Sequence, residues 1–145
     1  AGVLSSLLYA DGSQWEMLYT DGGPSLNQKT GVTRMQGKEV FRQAIEKMSE
    51  AVQTLMAKTN ISLEDIAWLI PHQANARIIE AVAERLSFPM ERVLVTVDRH
   101  ANTSAASIPL AIVDGLASGK LVSGQYVLYI AIGAGLTWGT VLMRL

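Results

Sequence analysis

Two polar segments of the chain contain the residues best suited to chemistry, and each follows an apolar run. His72 follows the run Ala67–Ile70, and the polar triplet Asn102–Ser104 follows the β-branched run Arg92–Val97. Imidazole and carboxamide groups can both donate hydrogen bonds to an oxygen that develops negative charge. A structural histidine and a helix cap would give the same pattern. The position of His72 after a strand strengthens the functional alternative, because such loops hold many catalytic groups.

Glycine and cysteine usage limits the remaining chemistry. The segment Gly133–Gly135 fits either a tight turn or a loop in which backbone amides approach a ligand closely. Its spacing does not match a dinucleotide-binding fingerprint, and no P-loop or nucleophile elbow occurs in the chain. The chain has no cysteine and only two histidines, His72 and His100. Disulfides and cysteine nucleophiles are therefore excluded, and no metal site is expected.

Apolar periodicity predicts the elements that must position these residues. Strands are predicted over Val3–Tyr9, Trp15–Tyr19, Ala67–Ile70, Arg92–Val97, Tyr126–Ile132 and Leu136–Met143. Helices are predicted over Lys38–Ala57, Ala74–Leu86 and Ser104–Ala117. The turn residues Asp11–Ser13 indicate that the first two strands form a hairpin.

The order of these elements predicts an α/β fold in a single domain that spans residues 1–145. Alternation of strands and helices requires a sheet with a parallel portion, covered by helices. In such sheets, functional residues concentrate beyond the carboxyl ends of the strands. Those positions are Pro71–Asn75, Asp98–Ser104 and Gly133–Gly135, so these segments are expected to converge.

Composition gives no sign of a nucleic-acid or membrane partner. Hydrophobic residues make up 49% and charged residues 17% of the chain, and its net charge is −1. Interspersed acidic and basic side chains argue against a nucleic-acid-binding surface. No apolar run approaches the roughly 20 residues that span a bilayer. The first residues also lack the basic start of a signal peptide, so a cytoplasmic location is expected.

The predicted helix Ser104–Ala117 is apolar on nearly every face. A helix of this kind is normally buried on most of its sides. One lobe of this size does not readily bury it, so we expect an exposed apolar face that marks an interface. Without a partner to cover that face, the chain is expected to self-associate or aggregate.

Several segments together resemble β-ketoacyl-acyl-carrier-protein synthase III, a condensing enzyme of the thiolase fold. The segments, which occur in the order seen in that family, are Met35–Phe41, Pro71–Asn75, Arg99–Ser107 and Gly133–Gly139. The resemblance implies a thiolase-like α/β lobe with a mixed sheet between helix layers. It covers only the carboxy-terminal one of the two similar lobes that this family has.

The resemblance also implies an activity for the complete protein. In this family, a cysteine of the amino-terminal lobe attacks an acyl-CoA, here expected to be acetyl-CoA. The enzyme then decarboxylates malonyl-acyl-carrier protein and joins two carbons to the acyl group, which initiates fatty acid synthesis. Because this chain resembles the lobe without the cysteine, it is expected to be inactive alone. The complete enzyme is expected to be a homodimer that needs no cofactor.

Two alternatives remain open. The chain could be a non-catalytic subunit that binds the carrier protein or completes an assembly. It could also be an inactive fragment of the same enzyme.

The resemblance assigns roles to three groups of residues. His72 and Asn102 are implied to polarise the malonyl thioester carbonyl and stabilise the enolate. The loop Gly133–Gly135 is implied to offer a second oxyanion site through the backbone amide of Ala134. The implied substrate and pantetheine contacts are Gly37, Phe41, Asn75 and Ile132. The implied carrier-protein contacts are Arg42, Gln73 and Arg77.

Three positions depart from the family pattern. Ala134 stands where the family generally has glycine, and its methyl group is expected to strain the loop. Ile132 and Leu136 occupy positions that are often phenylalanine. These aliphatic side chains are expected to reshape the acyl pocket, which leaves the choice of primer open.

Overall fold

Six strands and four α-helices form the chain, and a computed structural model describes all of its residues, 1–145. The strands are β1 (Gly2–Ala10), β2 (Leu18–Thr20), β3 (Thr33–Met35), β4 (Ile66–Pro71), β5 (Tyr126–Gly133) and β6 (Thr137–Arg144). The helices are α1 (Gly37–Thr59), α2 (Ala76–Arg85), α3 (Val97–His100) and α4 (Ser107–Ala117). No helix is both long enough and apolar enough to cross a membrane.

The main sheet is mixed, as the sequence predicts. Its strand order is β1-β6-β5-β4, with β4 and β5 parallel and the other neighbours antiparallel. Strands β2 and β3 form a separate two-stranded sheet. The parallel pair matters for function, because the carboxyl ends of β4 and β5 lie at the same edge of the sheet.

Helices cover both faces of the main sheet. Neighbouring residues of β5 point to opposite faces, so Leu128 packs in the cluster of α1 and α2 while Val127 packs in the cluster of α4. The helix α1 contributes the buried side chains of Met48, Val52 and Leu55 to the larger cluster. The α/β lobe with a sheet between helix layers is therefore confirmed.

The predicted hairpin of Val3–Tyr9 with Trp15–Tyr19 is wrong. The residues Gly12–Met17 form a 3₁₀-helix, whose start is capped by the Asp11 carboxylate accepting from the Ser13 amide. Strand β1 pairs with β6 instead, and the Asp11 amide donates to the Leu136 carbonyl at 2.8 Å. The turn residues correctly indicated that the chain bends here. They could not show that β1 pairs with the distant strand β6.

The predicted strand Arg92–Val97 is also wrong. A single bridge joins Val93 to Leu69, and the Leu94 amide donates to the Leu69 carbonyl at 2.9 Å. Beyond that point the backbone turns into α3, because the side chain of Gln73 accepts from the amides of Thr96 and Val97.

The apolar face expected on the helix Ser104–Ala117 is present. Its first turn, Ser104–Ala106, is a 3₁₀-helix, and α4 follows directly. One side of α4 packs on the sheet, while Val113 and Leu116 on the other side are 61% and 56% exposed. We call Pro109, Val113 and Leu116 the outer face of α4. Self-association of the chain stays a prediction.

Backbone strain is concentrated in the loop between α3 and α4. Ala101 has φ 55° and ψ −165°, a combination that is essentially restricted to glycine. Ser104, three residues later, also has a positive φ, of 52°. Asn102 lies between these two residues, so the strain is located beside a side chain that the sequence predicts to be functional.

Replacing Ala101 by glycine should raise the free energy of unfolding by about 1 kcal/mol, because relief of the strained φ exceeds the entropy that glycine adds to the unfolded chain. The matched control is Ala106→Gly. Ala106 has an ordinary φ of −75°, so the same change there should lower stability. Urea unfolding of both variants tests this expectation, and a loss of stability in Ala101→Gly would contradict it.

Candidate active site

An open cavity of about 1490 Å³ lies at the carboxyl ends of β4 and β5, beside the loop that precedes α4. It brings together most of the residues proposed from the sequence. Those that line it are Gly37, Phe41, His72, Asn75, Arg77, Asn102, Ile132, Gly133 and Ala134. Three do not line it: Arg42, Gln73 and Gly135. The expected convergence of the three strand-exit loops is therefore observed.

His72 is held at the end of β4 by both its backbone and its ring. Its amide donates to the Ile130 carbonyl at 2.7 Å, which extends the β4–β5 pairing by one residue. The imidazole Nδ1 lies 2.7 Å from the Ser107 hydroxyl, whereas Nε2 has no partner within the chain. Burial lowers the pKa of His72 below its ordinary value, so the ring is neutral at pH 7.

Asn102 is oriented by the strained loop that contains it. The amide of Ser104 donates to the Asn102 Oδ1 at 3.1 Å. With its oxygen engaged, the carboxamide presents its Nδ2 hydrogens as the available donors. His72 and Asn102 therefore offer one side-chain donor group each to the same cavity.

The turn between β5 and β6 adds a backbone donor. The Ala134 carbonyl accepts from the Thr137 hydroxyl at 3.1 Å, while the Ala134 amide has no acceptor within the chain. The expected strain at Ala134 is not found, because the positive φ of this turn, 136°, falls on Gly135. A side chain at Gly135 would also approach Thr137 within 3.0 Å. The methyl group of Ala134 is thus accommodated.

Gln73 has a different role from the one predicted. The prediction that it contacts a carrier protein is wrong, because Gln73 is 0% exposed. Its Nε2 donates to the carbonyls of Pro71 at 2.8 Å and Leu94 at 3.0 Å. Its Oε1 accepts from the amides of Thr96 at 2.7 Å and Val97 at 3.1 Å. The side chain therefore joins the His72 loop to the segment that leads to Asn102.

The two arginines that were predicted to contact a carrier protein, Arg42 and Arg77, have different surroundings. Arg42 lies outside the cavity and pairs with Glu39 at 2.9 Å and Glu46 at 3.8 Å. Hydrogen bonding to Glu39, more than any other interaction, raises the pKa of Arg42. Arg77 has no carboxylate partner, lines the cavity and lies over the Phe41 ring at 5.7 Å. Of the two arginines, only Arg77 thus presents an uncompensated positive charge at the cavity.

Comparison with known proteins identifies the family. The sequence model described as 3-oxoacyl-[acyl-carrier-protein (ACP)] synthase III C terminal matches residues 56–145, which is more than half of the chain. The chain belongs to the 3-oxoacyl-acyl-carrier-protein synthase III family. It corresponds to the carboxy-terminal half, as the resemblance implied.

Curated relatives of this synthase III family match nearly the whole chain. The β-ketoacyl-acyl-carrier-protein synthase III of Erythrobacter litoralis is 49% identical over 143 residues, which covers 99% of this chain and 44% of the relative. That of Rhodobacter capsulatus is 50% identical over 143 residues, with the same two coverages. The chain thus spans less than half the length of these relatives.

Solved synthase III structures share the fold. The structure from Aquifex aeolicus VF5 aligns with a TM-score of 0.92 at 42% identity, over 99% of this chain and 44% of that one. The structure from Pseudomonas aeruginosa PAO1 aligns with a TM-score of 0.90 at 40% identity, over 98% and 44%. The thiolase-like α/β fold expected from the sequence is confirmed.

Sequence reasoning missed two buried polar residues of the site, Gln73 in its structural role and Ser107. Ser107 is 2% exposed and is the first residue of α4. The mostly apolar run Ser104–Ala117 has three polar residues, Ser104, Ser107 and Asp114, and nothing in the run alone singles out Ser107. A buried hydroxyl needs a partner, but the sequence does not show which one.

Replacing Gln73 by glutamate should lower the free energy of unfolding by about 3 kcal/mol or more at pH 7, because an ionisable carboxyl group is buried and at least one of the two carbonyls loses its donor. Burial favours the protonated carboxyl group. The folded state then holds a proton that the unfolded chain releases, so the deficit relative to wild type should grow as the pH rises from 5 to 8.

The matched control for this prediction is Gln53→Glu on the exposed side of α1, which should have little effect at either pH. Urea unfolding at both pH values provides the comparison. Equal stability of Gln73→Glu and Gln53→Glu would contradict the role assigned to Gln73.

Proposed function

We propose that this chain is the carboxy-terminal lobe of a β-ketoacyl-acyl-carrier-protein synthase III. Together with an amino-terminal lobe that carries a cysteine, it would join an acyl group from acyl-CoA, which we take to be acetyl-CoA, to malonyl-acyl-carrier protein. The observation that carries this proposal is the pair of unpartnered donors, His72 Nε2 and Asn102 Nδ2, on one cavity.

The two donors suit the decarboxylation step. When the bond between the malonyl carboxylate and its neighbouring carbon breaks, carbon dioxide leaves and the electron pair moves to the thioester carbonyl. The resulting enolate oxygen accepts hydrogen bonds from His72 and Asn102. Neutral imidazole suffices as a donor, and burial of His72 lowers its pKa and keeps the ring neutral.

The carbon–carbon bond then forms at the partner lobe's cysteine. The enolate carbon attacks the acyl-cysteine carbonyl, and the tetrahedral oxyanion that forms collapses with departure of the cysteine thiolate. The unpartnered amide of Ala134 is a donor suited to that oxyanion. Gly133 and Gly135 on either side of it have no side chain, so a substrate can approach this amide closely.

The same cavity can hold the pantetheine arm. Gly37, Phe41 and Ile132 give it an apolar wall. Asn75 caps α2 by accepting from the Arg77 amide at 2.8 Å, which leaves the Asn75 Nδ2 hydrogens available to a pantetheine carbonyl. The cavity therefore combines an apolar lining with a few polar groups, as ligand sites generally do.

Of the two arginines, Arg77 is the better placed to meet an acidic carrier protein. Its guanidinium is unpaired and is supported by the Phe41 ring at the cavity. Arg42 would have to exchange Glu39 or Glu46 for a carrier carboxylate, so its contribution should be smaller. Gln73 has no part in this surface because it is buried.

The outer face of α4 suits the amino-terminal lobe. Exposure of Val113 and Leu116 leaves an apolar stripe on this helix, and the loop 101–106 beside it is exposed throughout. A lobe that covers both would bring its cysteine to the donors of His72 and Asn102. We further propose that the complete enzyme is a homodimer, as the family resemblance implies, and that it is cytoplasmic, as expected from the sequence.

The central test is turnover by this chain assembled with a cysteine-bearing amino-terminal lobe of a relative. His72→Ala and Asn102→Ala should each slow malonyl-carrier decarboxylation about 10²–10³-fold, because each removes one oxyanion donor. Asn27→Ala, in a surface loop, is the matched control and should not change the rate. Carrier binding without any turnover, or rates unaffected by His72→Ala, would instead favour a non-catalytic subunit.

Leu116→Glu should prevent assembly with the amino-terminal lobe, because a charge would be buried in an apolar interface without a partner. Leu26→Glu is the matched control, since Leu26 is 70% exposed in a loop outside this face. Sedimentation of the mixed lobes measures assembly, with circular dichroism to confirm folding. Equal assembly of both variants would contradict this interface.

A further inference from the structure

The hydroxyl of Ser107 makes two hydrogen bonds to the loop that contains His72 and Gln73. Ser107 begins α4 and is 2% exposed. Its Oγ lies 2.7 Å from His72 Nδ1 and 3.2 Å from the backbone nitrogen of Gln73. These two contacts determine where the protons of this group must lie.

The proton of the hydroxyl has a single available acceptor. The Gln73 amide can only donate, so Ser107 Oγ accepts that bond. The hydroxyl has one proton to donate, and apart from His72 no acceptor in the chain forms a hydrogen bond with it. If His72 Nδ1 carried a hydrogen, Ser107 would accept two bonds and its own proton would be buried without a partner. Nδ1 must therefore be the acceptor.

This arrangement selects one tautomer of the neutral imidazole. With Nδ1 accepting from Ser107, the ring hydrogen resides on Nε2, the nitrogen without a partner in the chain. The opposite tautomer would direct a nitrogen lone pair at the cavity and repel a developing oxyanion. Ser107, which does not line the cavity, thereby makes His72 Nε2 a hydrogen-bond donor.

We propose that Ser107 is a positioning residue that holds His72 as its Nε2–H tautomer, so that the ring can donate to an oxyanion. The consequence for catalysis rests on the proposed function, whereas the tautomer itself does not. Both side-chain donors are then oriented by the segment Ser104–Ser107, which leads into α4. The Ser104 amide donates to Asn102 Oδ1, and the Ser107 hydroxyl donates to His72 Nδ1.

The test is ¹⁵N-histidine labelling of this chain, assembled with the cysteine-bearing lobe, followed by long-range ¹H–¹⁵N correlation spectra of the imidazoles. Protonated and unprotonated ring nitrogens resonate far apart, and the chain has only two histidines, so His100→Gln assigns the signals. Wild-type His72 should show hydrogen on Nε2 at pH 8. Hydrogen on Nδ1 would overturn the proposal without the need for any variant.

Ser107→Ala should shift His72 toward a mixture of tautomers and slow decarboxylation about tenfold or more. The effect should stay below the roughly 10²–10³-fold loss that follows removal of a whole donor, because part of the population keeps Nε2–H. Ser107→Thr keeps the hydroxyl and should restore both readouts. Ser118→Ala, at the other end of α4, is the matched control and should change neither.

The two readouts separate this proposal from the proposed function. A slower rate with an unchanged tautomer in Ser107→Ala would assign Ser107 a purely structural role and overturn the proposal. An altered tautomer in an assembly whose wild type shows no turnover would support the positioning role and contradict the enzymatic one.

Discussion

The buried amide of Gln73 is the constraint on which the site depends. Its four hydrogen bonds replace the strand pairing that the segment Leu94–Val97 lacks, and they use both amide hydrogens and both oxygen lone pairs of the side chain. Because an unsatisfied polar group in this position would be costly, the two segments must keep a fixed separation. The loop of His72 and the backbone that leads to Asn102 are thereby coupled.

Two further hydrogen bonds organise the proposed site within the chain itself. Ser104, in the turn before α4, and Ser107, the first residue of α4, occupy the acceptor atoms of Asn102 and His72 and leave the donor atoms available. The strained φ of Ala101 lies in the same loop. Strain of this kind persists only where surrounding interactions determine the backbone, and here α4 and Gln73 supply them.

Local signals in the sequence were sufficient for most elements of the fold, as the helix predicted over Lys38–Ala57 and found over Gly37–Thr59 illustrates. The segment Arg92–Val97 has strand composition, but the side chain of Gln73 captures its amides, and that contact could not be foreseen from periodicity. His72 and Asn102 were identified by position and resemblance. The tautomer of His72 depends on Ser107, which is 35 residues away in the sequence. The orientation of Asn102 depends on Ser104, only two residues away, and on a backbone conformation that the sequence pattern does not show.

Gln73 holds the two loops as firmly as a strand pair would. Native-state hydrogen exchange of the Thr96 and Val97 amides tests this role most directly, because no backbone acceptor protects either of them. We expect both amides to exchange as slowly as the Leu94 amide, which donates to the Leu69 carbonyl. Exchange at the rate of an unprotected surface loop would contradict it.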